Sequence, residues 1–362
     1  MLERFKVPEQ DQVKVSEDSL HKAVSAIFEK MGLTPEDATD GADMLVTADL
    51  RGIETHGVSN KMRDYVQQYT NGELNPRPNW RIERESPGTA VIDGDRGLGV
   101  ILGPKAMRIA IDKARQVGIG IVTIHNSGHL GAVGQFAMQA TKEDMVGMCA
   151  TAIGSGILPT FGAEPRLGTN PISIAAPTKS EAPFLFDAAT SAVAGNKIRL
   201  AERVGANLLP GWIAETDGTP IMEERPVPGR GQYHMLPIGG SRDQGSHKGY
   251  GVNMMVEIMA TFLSGALPSM LNLSGLARHY FAAYYISAFT DLDTFKENMD
   301  QMLQTLRSTK PAPGHERVMY PGLSEYEEEQ ERHVSGIPLH KEVVEWFEGI
   351  SGELSVPQLQ II

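Results

Sequence analysis

The sequence contains very little cysteine. Its one thiol, Cys149, lies in the mostly apolar run at 146–151. A single cysteine excludes an internal disulfide framework and any zinc site built from several thiolates. No basic residue adjoins Cys149 in the sequence to lower its pKa, so we interpret it as an inert, buried thiol.

Long hydrophobic runs are also missing. The first twelve residues contain no apolar segment of the kind found in secretory signals. The most membrane-like stretch, 250–271, is interrupted by Asn253, Glu257 and Pro268. We therefore interpret it as a buried helix rather than a membrane span, and we expect a cytoplasmic protein with no membrane partner.

Basic residues are in the minority. There are 45 acidic and 33 basic side chains, which gives a net charge of −12. Such a surface repels phosphate backbones, so nucleic acid is not an expected partner. A small anionic substrate is still possible, because a pocket sets its own local field.

Three familiar motifs for cofactor binding, nucleophilic catalysis and metal binding are absent or incomplete. Glycines 97, 99 and 103 resemble a dinucleotide phosphate loop, but the second strand then ends in His125 and Asn126 instead of the required acid, so we interpret them as turn glycines. No Gly-x-Ser-x-Gly elbow supports a serine hydrolase. His125 and His129 have the spacing of helical zinc ligands, but Asn126 and Gly128 between them favour a loop. A metal is not expected, and a metal-dependent hydrolase is kept as an alternative.

The periodicity predicts helical chain ends around a central mixed sheet, a fold of the α/β (α+β) class. Ser16 and Thr34 have the position of helix caps, and a third helix is predicted at 60–70. At roughly 150 residues per domain the 362 residues suggest two domains. We predict one from 1–75 with 290–362 and one from 76–289. Strands are predicted at 89–93, 118–125, 146–152, 171–176, 184–186 and 280–289, and helices at 104–116 and after Gly249.

Four short segments place polar side chains beside glycine, which lets a backbone approach a ligand closely. They are Arg51-Gly-Ile-Glu-Thr-His-Gly, His125-Asn-Ser-Gly-His-Leu-Gly, Gly168-Thr-Asn-Pro with Asp187-Ala-Ala-Thr, and His247-Lys-Gly-Tyr-Gly.

Together these segments resemble the malate/L-lactate dehydrogenase family of the second type, which includes ureidoglycolate, sulfolactate and related 2-oxo acid reductases. Asp49-Leu-Arg-Gly-Ile-Glu-Thr-His-Gly is similar to the family's Asp-Leu-Arg-Gly-Ile-Asp-Ser-His-Gly. The likeness continues through the other segments in order and reaches Pro311-Ala-Pro-Gly and Tyr320-Pro-Gly. It covers nearly the whole chain.

The resemblance implies a homodimer with a largely antiparallel, non-Rossmann cofactor sheet and a helical substrate and dimer domain. It implies hydride transfer between NAD(H) or NADP(H) and a small 2-hydroxy or 2-oxo acid. His129 would occupy the acid/base position and His56 would lie near the substrate. The matching cofactor-contacting positions would be Asp187, Ala188, Ala189 and Lys248, and Ser155 is a further cofactor-binding candidate.

The residue types fit these roles. Histidine has an ordinary pKa of about 6.5 and can exchange a proton in either direction of the reaction. Lys248, near a helix start, suits a phosphate, and Asp187 could accept hydrogen bonds from ribose hydroxyls. The alternatives are a structural loop histidine, a surface lysine and a turn aspartate.

The sequence departs from the family where substrate is bound. Thr55 replaces a serine, and Asn60 stands where many members carry an arginine for the substrate carboxylate. Lys61 or Arg63 could supply the missing charge, and we take Thr55 and Arg63 as substrate-binding candidates. Leu130 replaces a phenylalanine. The changes leave open a family member without catalysis, or one that binds a different carbonyl ligand.

Overall fold

The computed structural model describes residues 6–272 and 274–362. Both chain ends form the helical layer, as predicted. Two helices begin at the predicted caps: the Ser16 hydroxyl accepts from the Ser19 amide at 3.1 Å, and the Thr34 hydroxyl accepts from the Asp37 amide at 3.0 Å. The helices of this layer are α1 Glu17–Lys30, α2 Pro35–Leu50, α3 Val58–Thr70, α9 Leu323–Ser335 and α10 Lys341–Leu354. Helix α8, Leu292–Arg307, packs through Leu303 in a separate cluster with Tyr320 and Leu323.

A two-stranded sheet joins the two ends of the chain. Strand β1, Gln12–Val15, pairs antiparallel with β11, Ile337–His340. The last helix, α10, packs on α1, and Phe28 and Phe347 are fully buried in the same core. The division into two domains remains a prediction, because this core also includes residues from the central sheet.

The central sheet has seven strands in the order β2-β3-β4-β10-β5-β6-β7. Among the described strands, β3 and β4 are the one parallel pair in this sheet, and the other neighbours are antiparallel. The prediction of a largely antiparallel, non-Rossmann sheet is confirmed. The strands are β2 Arg81–Ser86, β3 Thr89–Asp93, β4 Ile119–Ser127, β5 Met145–Ala152, β6 Ile172–Ala176, β7 Phe184–Ala188 and β10 Ala277–Tyr285.

Helices cover the sheet closely. Gly120 of β4 lies against the backbone of α4, and Gly147 of β5 lies against the backbone of α5, so that neither position has room for a side chain. A third helix, α7, continues into a π-helical turn, Glu257–Thr261. Val256 of α7 and Ala260 of the turn pack on the face of the sheet opposite to α4 and α5. These helices are α4 Gly99–Val117, α5 Gly134–Thr141 and α7 Ser246–Val256; α6 Gly195–Val204 and the short strands β8 Ile213–Ala214 and β9 His234–Met235 complete the fold.

Several predicted boundaries were wrong. Helix α4 begins at Gly99, and Pro104 lies inside it. Strand β4 extends two residues beyond 125 to Ser127, and β10 lies nearer the amino end than the predicted 280–289. Strand β2 was not predicted, because all six of its residues are exposed and it has no alternating apolar pattern.

Cys149 is fully buried, and burial raises the pKa of its thiol well above its usual range. Within the described residues, every helix is too short or too polar to cross a bilayer.

Candidate active site

A cavity of about 590 Å³ lies between the helical layer and the β7 edge of the sheet. Its volume is in the range of small-molecule sites. Four stretches supply much of its wall: the turn after α2, the loop before α5, the end of β7 and the segment before α9. Its lining includes Arg51–His56, Gly131–Val133, Leu185–Ala189, Ser191–Ala194, Lys197 and Tyr320–Gly322.

The two predicted histidines meet although 73 positions separate them in the sequence. The rings of His56 and His129 stack with centroids 5.7 Å apart and an interplanar angle of 7°. The hydroxyl of Tyr65 lies 2.7 Å from Nδ1 of His129, and the amide of Gly131 donates to the same nitrogen at 3.1 Å. Because an amide N–H can only donate, Nδ1 accepts and the proton of the neutral ring lies on Nε2.

Burial keeps both rings neutral. It lowers the pKa of His129 well below its ordinary value of 6.5, and the nearby charge of Lys61 lowers it further. The same two causes lower the pKa of His56 to about 4. Burial also raises the pKa of Tyr65, so its hydroxyl keeps the proton that it donates to His129. A neutral imidazole is the form that can accept a proton.

Hydrogen bonds hold the loop that carries His129. Asn126 has a left-handed φ of 55°, and its side-chain amide donates to Asp93 at 2.7 Å. The Ser127 hydroxyl donates to a carbonyl of the neighbouring loop at 3.0 Å. His125 lies 3.0 Å from Glu83, whereas His129 contacts Tyr65, so the two histidines have different partners. Across 6–272 and 274–362, no group of three metal-ligating side chains is present.

The first histidine is oriented by the residue before it. The Thr55 hydroxyl lies 2.9 Å from Nδ1 of His56. The Thr55 carbonyl accepts from the side-chain amide of Asn196 at 2.8 Å, which ties this turn to α6. Thr55 is buried and lines the cavity, as expected for a substrate-binding candidate.

Helix α3 brings Lys61 to the histidines and directs Arg63 elsewhere. Lys61 is 8% exposed, its ammonium lies 3.4 Å from Asp64, and its charge acts on both imidazoles. Burial lowers the pKa of Lys61. The Arg63 side chain is 56% exposed and lies over the Trp346 ring at 5.6 Å, outside the cavity wall. A substrate contact by Arg63 stays a prediction that this placement does not favour.

The cofactor candidates divide into two groups. Asp187, Ala188 and Ala189 line the cavity at the end of β7. The Asp187 carboxylate accepts from the Gly134 amide at 2.7 Å, and burial raises its pKa to about 6. Lys248 is exposed in the first turn of α7, and Ser155 lies in the loop after β5. Neither of these two is part of the cavity wall.

Asp49 has a structural role that the motif alone did not reveal. Its carboxyl accepts from the Val58 amide at 2.7 Å, at the first residue of α3. A Cβ on Gly57 would lie 2.1 Å from this carboxyl group, so Gly57 must lack a side chain. Arg332 of α9 donates to the Asp49 carbonyl and to Glu54. These contacts fix the turn that carries His56.

We expect Asp49→Asn to change how stability depends on pH. Burial raises the pKa of Asp49 to about 8 from 3.8. Between pH 3.8 and about pH 8 the Asp49 carboxyl is ionised in the unfolded chain and protonated in the folded chain. The contribution of Asp49 to the free energy of unfolding is therefore lost as the pH rises through this range. Asparagine removes up to about 1.4 kcal/mol per pH unit of that slope. Urea unfolding at several pH values measures it.

The exposed Asp243 provides the control for this measurement. Asp243→Asn should leave the slope unchanged. An unchanged slope in Asp49→Asn as well would show that Asp49 is ionised in the folded state.

A family model described as malate/L-lactate dehydrogenase matches residues 15–348. The chain belongs to the malate/L-lactate dehydrogenase family. The resemblance seen in the sequence is thereby confirmed, and the chain is a dehydrogenase of the hydroxy acid class.

Named relatives of the family span this chain almost completely. A malate dehydrogenase of Pyrococcus abyssi is 37% identical over 359 residues, 98% of each chain. An L-sulfolactate dehydrogenase of Methanocaldococcus jannaschii is 33% identical over 92% of this chain and 95% of its own. The solved structure of a malate dehydrogenase from Pyrococcus horikoshii has a TM-score of 0.89 at 36% identity and covers 98% of this chain and 99% of that one. The dehydrogenase names in the family imply a nicotinamide cofactor.

Proposed function

We propose that this chain transfers a hydride between NAD(H) or NADP(H) and a small 2-hydroxy or 2-oxo acid, with His129 as the proton-transferring group. The observation that carries the proposal is the cluster of His129, His56, Tyr65 and Lys61, in which His56 is part of the cavity wall. Imidazole and phenol groups can exchange a proton or a hydrogen bond with a carbonyl oxygen, and an ammonium can bind the carboxylate of an anionic substrate.

Several cavity residues fit a dinucleotide. Asp187 uses one carboxylate oxygen for the Gly134 amide, and its second oxygen has the capacity to accept from ribose hydroxyls. The wall at Ala188, Ala189 and Gly131 consists of small residues, which allow close approach of a ring. The bound cofactor would supply or accept the hydride.

In this proposal His129 moves the proton of the substrate hydroxyl. In oxidation the hydrogen of the neutral ring would first move from Nε2 to Nδ1, where Tyr65 can accept it, so that Nε2 takes the substrate hydroxyl proton as the hydride departs; in reduction Nε2 returns that proton to the substrate oxygen. Tyr65, at 2.7 Å from Nδ1, orients the ring and exchanges hydrogen bonds with it as its charge changes. His56 stacks on His129 and would donate a hydrogen bond to a substrate oxygen.

Lys61 would hold the substrate carboxylate in place of Arg63. We expect Lys61→Met to raise the KM for the oxo acid at least about tenfold, since a charge-assisted hydrogen bond contributes roughly 1.5–3 kcal/mol. The cofactor Kd should not change. Arg63→Met, on the exposed side of the same helix, is the matched control and should leave KM within about twofold. The reverse pattern would transfer the anchoring role to Arg63.

Lys248 would contact the cofactor phosphates from the start of α7. We expect Lys248→Ala to raise the cofactor Kd about fivefold, with little change in kcat. This is the effect expected from the loss of one exposed contact to an anion at the start of a helix. Titration of protein fluorescence with each cofactor measures the Kd, and Lys22→Ala on exposed α1 is the control. Equal Kd values in both variants would make Lys248 a structural lysine.

A homodimer is proposed because one surface is strongly apolar. Large apolar side chains that are at least half exposed extend from the last turn of α7 through the segment that follows it. A patch of this kind marks a protein interface. Light scattering should give roughly twice 39.3 kDa, and Phe262→Asp should reduce it to a single chain; one chain in the unmodified protein would exclude the dimer. The side chains are Met255, Ile258, Phe262, Leu263, Leu267 and Leu271.

Absorbance of the reduced nicotinamide tests the function directly. Purified protein is mixed with NADH or NADPH and a panel of 2-oxo acids that includes oxaloacetate, pyruvate and sulfopyruvate. Oxidation of one cofactor, unaffected by a chelator, supports the proposal. Bound metal in the purified protein, together with no oxidation of either cofactor, would support the metal-dependent hydrolase. No oxidation with any acid, despite cofactor binding, supports a family member without this catalysis.

A further inference from the structure

A fully buried histidine, His279, lies directly behind the loop that carries His129. It is on strand β10, between β4 and β5, and is 0% exposed. Its Nε2 lies 3.1 Å from the carbonyl oxygen of Gly128, and its Nδ1 lies 2.7 Å from the hydroxyl of Thr151. A carbonyl can only accept, so Nε2 carries the hydrogen and the Thr151 hydroxyl donates to Nδ1.

The strand pairing is irregular at this position. Ala277 pairs with Ser127 and His279 pairs with Ile124, so one residue of β10 faces two residues of β4. Bulges of this kind change the direction of a strand and the side chains that follow it. Here the bulge is followed by Gly128 and His129.

The peptide that joins Gly128 to His129 is held from two sides. On one side His279 donates to the Gly128 carbonyl. On the other side lies Gly99, at the start of α4, where a Cβ would lie 2.8 Å from the Gly128 oxygen and 2.7 Å from the His129 oxygen. The Gly128 amide also donates to the Gly97 carbonyl at 2.8 Å.

We propose that His279 is a positioning residue: its hydrogen bond to Gly128 fixes the peptide before His129 and so places the His129 ring against its partners. The inference rests on the proposed function, in which His129 moves the proton. Burial lowers the pKa of His279 to about 3, so it stays neutral and keeps this arrangement across the working pH range. A displacement of about 1 Å in such a group can cost on the order of a hundredfold in rate.

Two variants distinguish the hydrogen bond from His279 to Gly128 from the packing contribution of the His279 ring. The amide nitrogen of glutamine reaches the position of a histidine Nε2, whereas that of asparagine reaches the position of Nδ1. His279→Gln therefore keeps a donor for Gly128, and His279→Asn keeps only the contact to Thr151. We expect kcat within about threefold of the unmodified protein for Gln and at least about tenfold lower for Asn. The cofactor Kd should not change in either.

The titration of His129 provides a readout that does not depend on turnover. Its ring faces Lys61 and Tyr65 from α3, His56 from the turn before α3, and His279 from β10. In His279→Asn the loosened loop admits water, so the NMR-measured pKa of His129 should rise toward 6.5; in His279→Gln it should stay low. Thermal unfolding checks that both variants fold.

The outcomes distinguish this inference from the proposed function. Normal turnover in His279→Asn, or equal losses in both variants together with an unmoved His129 pKa, would overturn the positioning role. A protein that reduces no oxo acid, but whose His129 pKa moves in His279→Asn and not in His279→Gln, would overturn the proposed function and leave the positioning role supported.

Discussion

His129→Ala should lower kcat at least about a hundredfold, the usual contribution of a positioned general acid or base. The variant removes the ring that Tyr65 and the Gly131 amide orient, and no other imidazole in the described residues has the same two contacts. We expect that His56 does not replace it, because the His56 ring contacts Thr55 and lacks the contacts to Tyr65 and the Gly131 amide. Cofactor binding should be unchanged, since Asp187 and its neighbours remain in place. Stopped-flow kinetics with a fluorescence-measured cofactor Kd would test both parts.

The pH profile of the unmodified protein gives a second test of the same residue. Oxidation requires the neutral base, so kcat falls as pH drops through the pKa of His129. Because burial lowers that pKa, the midpoint of the acid limb should lie below 6.5. His21→Ala, on the exposed face of α1, serves as the control and should leave turnover unaffected. Turnover of His129→Ala within a few-fold of the unmodified protein would assign the proton to another group.

Gly120→Ala should destabilise the fold by about 3 kcal/mol or more, because overpacking against backbone cannot be relieved by rotating a side chain. The new Cβ would lie 1.8 Å from the Ala110 carbonyl oxygen and 2.9 Å from the Ala114 nitrogen, both in α4. The helix would have to move off the sheet. The Tm should fall by roughly 5 °C or more, as measured by calorimetry.

A glycine in open surroundings provides the comparison. Gly352 lies on the exposed side of α10 with no atom within 4 Å of an added Cβ. Gly352→Ala should leave stability unchanged or raise it by up to about 1 kcal/mol, because alanine favours a helix. If both substitutions have the same small effect, α4 is held less tightly against the sheet than its contacts indicate.

The sequence predicted the elements whose signals are local. Ser16 and Thr34 carry the hydroxyls that cap α1 and α2, and both caps form. Strand β2 was missed because none of its residues is buried, so it lacks the apolar alternation on which such a prediction depends. The early start of α4 was missed because its first residues include Gly99 and Gly103, which suggested a turn. Their lack of side chains instead allows α4 to lie close to the His129 loop and to Phe136.

Site residues that belong to a sequence motif were predicted. Residues whose role depends on which side of a helix they lie were not. His56 and His129 were found from their glycine-rich segments, and the structure brings them together. Lys61 and Arg63 are two positions apart on α3, hence about 200° apart around the helix, so both cannot point toward the two histidines. The sequence could not show which one does. Tyr65 and His279 had no distinguishing signal, because buried aromatic and histidine side chains most often serve the core.

The pairing of β1 with β11 makes the proposed binding of the substrate's acid group dependent on residues 337–340. Helix α3, with Lys61 and Tyr65, is synthesised early, but its layer is completed by 337–362, where the Ile362 amide donates to the Lys14 carbonyl. During translation, helix α3, which binds the substrate in the proposed function, therefore lacks this support until residues 337–362 have been made. A chain that ends before residue 337 should therefore lose the support of the helix that we propose binds the acid.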